Sequence, residues 1–359
     1  MSALGASLAI ITAKVRGRRL ARAVAAESPM ITPVAVYFAD APESLYQLRR
    51  WYRVLEAMNT EYPTTIITSD PSTYAVVRRE TTLAVTFATG APQLARILDR
   101  LQVRVILYPN HNTLNFRVLR FAAPVHVFIG HGESAKESSV SRQLKAYDLD
   151  FVADRASIDQ LRGIRGYDAD SSAVVIGSPW LEFLGSPPAS WQADDRKVVL
   201  YAPTWEGDRP SMDYSSVESL GESIVNAVLE SPGLRLIYRP HPWLGRVRPE
   251  TAAMDVRFRR DIVAAHRGDV VDTGAYGWAL DAADICVADI SSVAHDIRAL
   301  GKPLLMSGDV ENRDAAGIRD AIERALAAAA ASPAAPSTSM AGLLAGIASA
   351  LRLGTKPTL

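Results

Sequence analysis

Residues Ile285-Cys286-Val287-Ala288-Asp289-Ile290-Ser291-Ser292 read as a strand, a tight turn and the first residue of a helix. Four apolar residues make a run short enough for a fully buried strand. Asp289 ends that run, and serine is a favoured residue type at a helix start. The helix is expected over residues 292–300, and another apolar run follows at 303–306. A buried strand passing through a turn into a helix, then into a second strand, is the unit of a parallel sheet with crossover helices.

The same alternation extends upstream. Strand-like runs occupy 198–201, 234–238 and 270–272, with helix-like stretches at 215–229, 250–265, 278–283 and 317–331. A separate alternation precedes it, with strand-like runs at 34–38, 64–68, 83–87, 103–108, 125–129, 151–153 and 174–176. Helix-like stretches at 43–58 and 92–101 lie between these runs. Between the two sets, residues 185–195 contain Pro187, Pro188 and Ser190, which break both periodicities and suggest a linker. A Ser/Pro/Ala stretch at 332–339 and an apolar helix at 343–351 close the chain. The expected division is a segment at 1–29, an α/β body at 30–187, a second at 188–331, and a connector plus helix at 332–359. Ligands of such sheets bind at the carboxyl ends of strands.

The 359 residues suit two domains of ordinary size. Lys and Arg total 39, as do Asp and Glu, for a net charge of zero. That balance excludes a nucleic-acid-binding protein basic throughout. The balance is uneven along the chain. Lys14, Arg16, Arg18, Arg19 and Arg22 face only Glu27 within residues 1–29, a surplus of +4 ahead of a body that sums to −4. Leu4, Leu8, Ile11, Val15 and Leu20 fall near helical spacing beside those cations. Such a segment can lie on an anionic membrane surface. Its apolar part precedes its charges, the reverse of a secretory signal. No apolar run reaches the roughly 18 residues that a spanning helix needs. The single cysteine, Cys286, excludes a disulfide framework and points to a reducing compartment.

Six histidines occur, in unlike contexts. His131 lies between Gly130 and Gly132 directly after a strand, where glycine lets a ligand approach the backbone and histidine can serve as a general base. His241 sits in Arg239-Pro240-His241-Pro242, held in a stiff turn beside a cation suited to phosphate. Ser291 and Ser292 offer hydroxyls and unpaired N–H groups at a helix start, the setting of a phosphate site as well as of ordinary capping. Thr204 and Trp205 follow another strand, in Tyr201-Ala202-Pro203-Thr204-Trp205-Glu206. Thr204 could donate to phosphate, Trp205 could stack or pack, and Glu206 could orient a hydroxyl. His111 is a further cleft candidate, whereas His126, His295 and His266 read as structural. No Walker, dinucleotide, zincin or Gly-x-Ser-x-Gly motif is present.

The ordered set His131-Gly132, Tyr201-Ala202-Pro203-Thr204-Trp205, Arg239-Pro240-His241-Pro242 and Asp289-Ile290-Ser291-Ser292 resembles the CDP-glycerol:poly(glycerophosphate) glycerophosphotransferases of teichoic-acid synthesis. That resemblance implies a GT-B fold, with two Rossmann-like domains facing across a cleft, acceptor side first and donor side second. It implies transfer of a polyol phosphate, glycerol phosphate first among the options, from a CDP-activated donor to a hydroxyl of a cell-surface polymer or lipid-linked acceptor, releasing CMP. By position, His131 would be the base and His241 would contact the diphosphate. Ser291 and Ser292 would hold donor phosphate, with Arg239, Thr204 and Asp289 in support. Gly132 and Lys136 would line the cleft. The family often has tyrosine where Ile290 stands, and a proline-containing run where Glu133-Ser134-Ala135-Lys136 stands.

A diphosphate donor can bring Mg2+ with it, though no acidic cluster in the sequence demands a metal. The resemblance places the enzyme in the cytoplasm, peripheral on the inner face of the cell membrane. A GT-B glycosyltransferase or nucleotide-sugar epimerase is the alternative, since it shares the fold and the helix-start phosphate site. A catalytically silent assembly partner is a third reading, and it leaves His131 and His241 without a purpose.

Overall fold

Strand composition sets the architecture. Val34–Phe38 (β1), Thr64–Thr68 (β2) and Val105–Tyr108 (β4) are buried at every position, as strands covered on both faces must be. In the computed structural model these join Ala84–Phe87 (β3), Val125–Phe128 (β5), Leu149–Val152 (β6) and Ala173–Val175 (β7) in one sheet. Its order is β3-β2-β1-β4-β5-β6-β7, and every pairing is parallel. The structure describes residues 31–133, 141–272, 276–331 and 340–354. The basic segment 1–29 and Lys136 lie outside them.

A second parallel sheet contains Lys197–Ala202 (β8), Leu234–Tyr238 (β9), Gly268–Val270 (β10), Ile285–Ala288 (β11) and Leu304–Met306 (β12). Its order is β10-β9-β8-β11-β12. Both sheets reverse direction beside their first strand, between β1 and β4 and between β8 and β11. Each reversal opens a crevice at the carboxyl ends, where open α/β sheets bind ligands.

The helix expected at 43–58 is broken into a 3₁₀ turn and the helices Leu45–Arg49 and Tyr52–Met58. β10 starts two residues earlier than expected. Gly268 enters the strand because a Cβ there would lie 2.6 Å from the Leu236 carbonyl oxygen, so its lack of a side chain is what permits pairing.

The chain forms two compact units. The first takes in 141–177 and the C-terminal helix Met340–Leu353 as well as the residues up to His131; the second runs on from Ser178 and also takes in Gly132. The expected boundary at 187 thus moves upstream. Trp180 and Leu181 are buried, and the Trp180 indole donates to Asp296 at 2.9 Å. Even the expected linker is anchored. Trp191 is buried, 5.2 Å from Trp278 and stacked under Arg235 at 3.7 Å. The C-terminal helix packs on β4, β5 and β7. Gly342 lies against the Ile176 backbone and Gly346 against the Phe151 ring, distances that exclude a side chain. Among the described residues, no helix is long and apolar enough to cross a membrane.

Candidate active-site residues in the two units

Register brings the motifs of the second unit together. Ala202 pairs with Ala288, and Tyr201 with Tyr238, so β8, β9 and β11 end at one level. The loops starting at Pro203, Arg239 and Asp289 therefore emerge side by side. Backbone bonds join two of them: the Arg239 N–H donates to Tyr201 O at 2.9 Å, and the His241 N–H to Pro203 O at 3.1 Å.

Asp289 ties the third loop in from below. It is fully buried, and its Oδ2 accepts from the Thr204 N–H at 2.8 Å and the Ser216 N–H at 3.1 Å. Burial pushes its carboxyl pKa up, against the lowering effect of hydrogen bonds from Ser216, Thr204 and Ser307. Thr204 is also buried, at 1% exposure. Both were expected as donor contacts, but the structure places them beneath the loop surface, where they fix the loops. A buried carboxylate is moreover a poor partner for a diphosphate, because like charges repel.

Glu206 has a similar task. Nearly buried, it accepts from the N–H groups of Gly245 at 3.0 Å, Val247 at 2.8 Å and Arg248 at 3.2 Å. Burial raises its pKa, but these backbone donors outweigh that and hold it below the usual range. It closes the loop after His241 rather than orienting a substrate hydroxyl.

His241 stands at the surface of this assembly, half-buried. Trp205 lies alongside its ring, with centroids 6.2 Å apart and planes at 23°, and Trp243 meets Trp205 edge-on at 5.1 Å. The His241 Nδ1 accepts from the Trp243 backbone N–H at 3.1 Å. A backbone N–H can only donate, so Nδ1 is unprotonated and the neutral ring carries its proton on Nε2. His241 thus presents a hydrogen-bond donor. The Arg239 guanidinium stacks 4.2 Å over the Tyr276 ring, which fixes its plane. Ser291 is the N-cap of helix Ser292–Ala299, and its Oγ accepts from the Ala294 N–H at 3.4 Å. Capping uses the oxygen and leaves the hydroxyl proton as a donor beside Ser292 in the first turn.

The first unit shows the complementary arrangement. Tyr37 and Tyr108 each stand one residue past the Val36–Leu107 pair of β1 and β4, and Tyr108 pairs with Phe128 of β5. Asp40, Asn110 and His131 follow these strand ends. His131 sits between Gly130 at φ 57° and Gly132 at φ 130°, conformations that favour glycine. The Trp51 indole donates to Gly130 O at 2.7 Å and locks the turn. The His131 Nδ1 lies 3.1 Å from the Pro109 carbonyl oxygen. A carbonyl can only accept, so Nδ1 carries the proton and Nε2 is the basic nitrogen. Tyr46 meets the ring edge-on at 5.9 Å.

His111 stacks flat on Phe128, with centroids 4.2 Å apart and planes at 8°. Burial and then the charge of His131 lower its pKa to about 4, so it stays neutral at physiological pH. It supports the strand end and cannot supply a cation. His126 is bound at both ring nitrogens, by Tyr108 and Phe121 O, each at 2.8 Å, as a structural histidine should be.

Sequence reading missed a polar cluster at the β1/β4 reversal. Asn110, nearly buried, donates from Nδ2 to Asp40 Oδ2 at 2.7 Å and to Gln47 Oε1 at 2.6 Å. The available signal was position: Asp40 and Asn110 each stand two residues past a strand. Among the described residues, no group of three or more His, Cys, Asp or Glu side chains suits a metal.

No functionally curated protein shows significant sequence similarity to the chain. Solved structures do resemble it. The Staphylococcus aureus MnaA–UDP complex covers 91% of this chain and 99% of its own, at 12% identity and a TM-score of 0.58. UDP-GlcNAc 2-epimerase from Neisseria meningitidis, bound to UDP-GlcNAc, covers 89% and 99% at 13% identity and a TM-score of 0.57. A variant of the wall teichoic acid polymerase TagF covers 90% and 88% at 13% identity and a TM-score of 0.54. At such identities the likeness establishes the fold, a GT-B-like α/β architecture. The family model for CDP-glycerol:poly(glycerophosphate) glycerophosphotransferase matches residues 130–313, a span that starts beside His131 and contains every motif loop described above. The chain belongs to the CDP-glycerol:poly(glycerophosphate) glycerophosphotransferase family.

Proposed function

We propose that the enzyme moves glycerol phosphate from CDP-glycerol to an acceptor hydroxyl, with His131 as base and His241 as donor to the departing CMP. The observation that carries this reading is the opposite proton placement on the two rings. The Pro109 carbonyl holds the His131 proton on Nδ1, and the Trp243 N–H holds the His241 proton on Nε2.

In the reaction, the acceptor O–H gives its proton to His131 Nε2, and its oxygen attacks the glycerol-bearing phosphorus. The bond from that phosphorus to the oxygen of CMP breaks, and CMP leaves with the electron pair. The His241 Nε2–H, the Arg239 guanidinium and the donors around Ser291 and Ser292 neutralise charge on the phosphates. Such transfer depends on positioning and charge stabilisation more than on a covalent protein intermediate.

The acceptor is a lipid-linked or polymeric polyol, and the work takes place at the inner membrane face. The +4 segment at residues 1–29 supports this placement, through attraction to anionic lipid. The protein is incubated with CDP-glycerol, CDP-ribitol and UDP-sugars, and nucleotide release is followed. CMP release from a CDP-polyol is expected. Release of UDP alone would instead favour the glycosyltransferase or epimerase alternative.

A further inference from the structure

Beside His241 the second unit contains a cavity of about 460 Å³, within the roughly 300–1,000 Å³ range of small-molecule sites. Pro240, Pro242 and Leu244 give it an apolar wall, and Asp255, Arg259 and Asp272 a charged one. Asp255 is fixed, accepting from the Tyr238 hydroxyl at 2.9 Å and from Arg259 Nε at 2.7 Å. Arg259 in turn donates from Nη1 to Asp272 Oδ1 at 2.5 Å. Among the described residues, Arg259 Nη2 and Asp272 Oδ2 have no hydrogen-bond partner. The cavity thus presents a donor and an acceptor held side by side.

We propose that this cavity takes the cytosine base of the nucleotide donor, with Asp272 Oδ2 accepting from its exocyclic amine and Arg259 Nη2 donating to its N3. Cytosine presents its N4 amine beside the N3 acceptor on that edge, matching the pair. Uracil presents O4 to the carboxylate and its N3–H to the guanidinium, a mismatch at both positions. Prolines and Leu244 supply a surface for the ring. The proposal rests on the CDP-donor reading and adds to it the residues that tell cytosine from uracil.

The test is calorimetric binding of CDP and of UDP to the full chain. Wild type is expected to bind CDP at least tenfold more tightly, the lower range of a good base-reading pair. Asp272→Asn removes the obligate acceptor and brings the CDP/UDP ratio toward one. Arg259→Lys, which keeps the charge but loses the fork, weakens CDP binding severalfold. Asp261→Asn, on the same helix but paired with Arg260, keeps the wild-type ratio. A general charge effect would move CDP and UDP together, so the ratio is the readout, and melting curves confirm folding of each variant. A wild type that binds both nucleotides equally overturns the base assignment, as does an unchanged ratio in Asp272→Asn. A wild type that binds neither contradicts the donor reading itself, a separate failure.

Discussion

Two histidines with opposite hydrogen-bond partners lead to two different substitution patterns. At His241 the useful atom is a donor at Nε2, and glutamine places an N–H near that position. His241→Ala is expected to lower kcat by about 10²–10³-fold, the usual effect of deleting one charge-stabilising donor. His241→Gln should retain a measurable part of the rate, and equal losses in steady-state assays would reject the donor role. His111 gives a pH prediction. Its pKa falls from 6.5 to about 4 on folding, so between those values the unfolded chain binds the proton and the folded chain does not. Its contribution is complete above pH 6.5 and declines as pH falls toward 4, by roughly 3 kcal/mol at most. Denaturant titrations of wild type and His111→Phe should differ in slope across that window; parallel curves would show that burial does not hold the ring neutral. His131, His241, Arg239 and the serine pair stand out as candidates in the sequence because each follows a strand in a marked context of glycine, proline or a helix start. The buried positions of Asp289, Thr204 and Glu206 were not, because side-chain direction at a strand end depends on which neighbouring loop supplies N–H groups.

At the scale of elements, strand identity was legible because buried parallel strands are continuous apolar runs, and β1 and β11, apolar at every position, need no context to be recognised as such. The limits lay where glycine opens an element. Gly268 in β10 and Gly342 and Gly346 in the C-terminal helix are placed by contacts distant in sequence, which no local pattern encodes. Gly342→Val would put a Cβ 2.5 Å from the Ile176 carbonyl oxygen, closer than van der Waals contact allows. It should destabilise the first unit by about 1–3 kcal/mol, as overpacking does. Gly233→Ala, with no atom within 4 Å of the added carbon, should stay within about 0.5 kcal/mol of wild type. Thermal unfolding compares the two, and equal melting temperatures would show that the helix does not seat where its glycines permit.

For the whole molecule, net neutrality conceals a basic segment ahead of an acidic body. If residues 1–29 recruit the enzyme to lipid, deleting them weakens sedimentation with phosphatidylserine vesicles, while CDP binding, proposed for the second unit, stays unchanged. Equal sedimentation of both forms would remove the membrane role. The motif order alone marked the family, since four short signals at the ends of β5, β8, β9 and β11 constrain one another more than any does singly. The acceptor was not marked, because the first unit before residue 125 carries no matching motif, and its Asp40–Asn110–Gln47 cluster becomes visible only once strands distant in sequence lie side by side. The most direct measurement is CMP release from CDP-glycerol in the presence of a lipid-linked glycerol phosphate acceptor, with CDP affinity measured in parallel. Wild type should release CMP, and His131→Ala should lose at least 10²-fold in rate with CDP affinity unchanged. Normal turnover in His131→Ala, or a wild type that releases no CMP, would contradict the account.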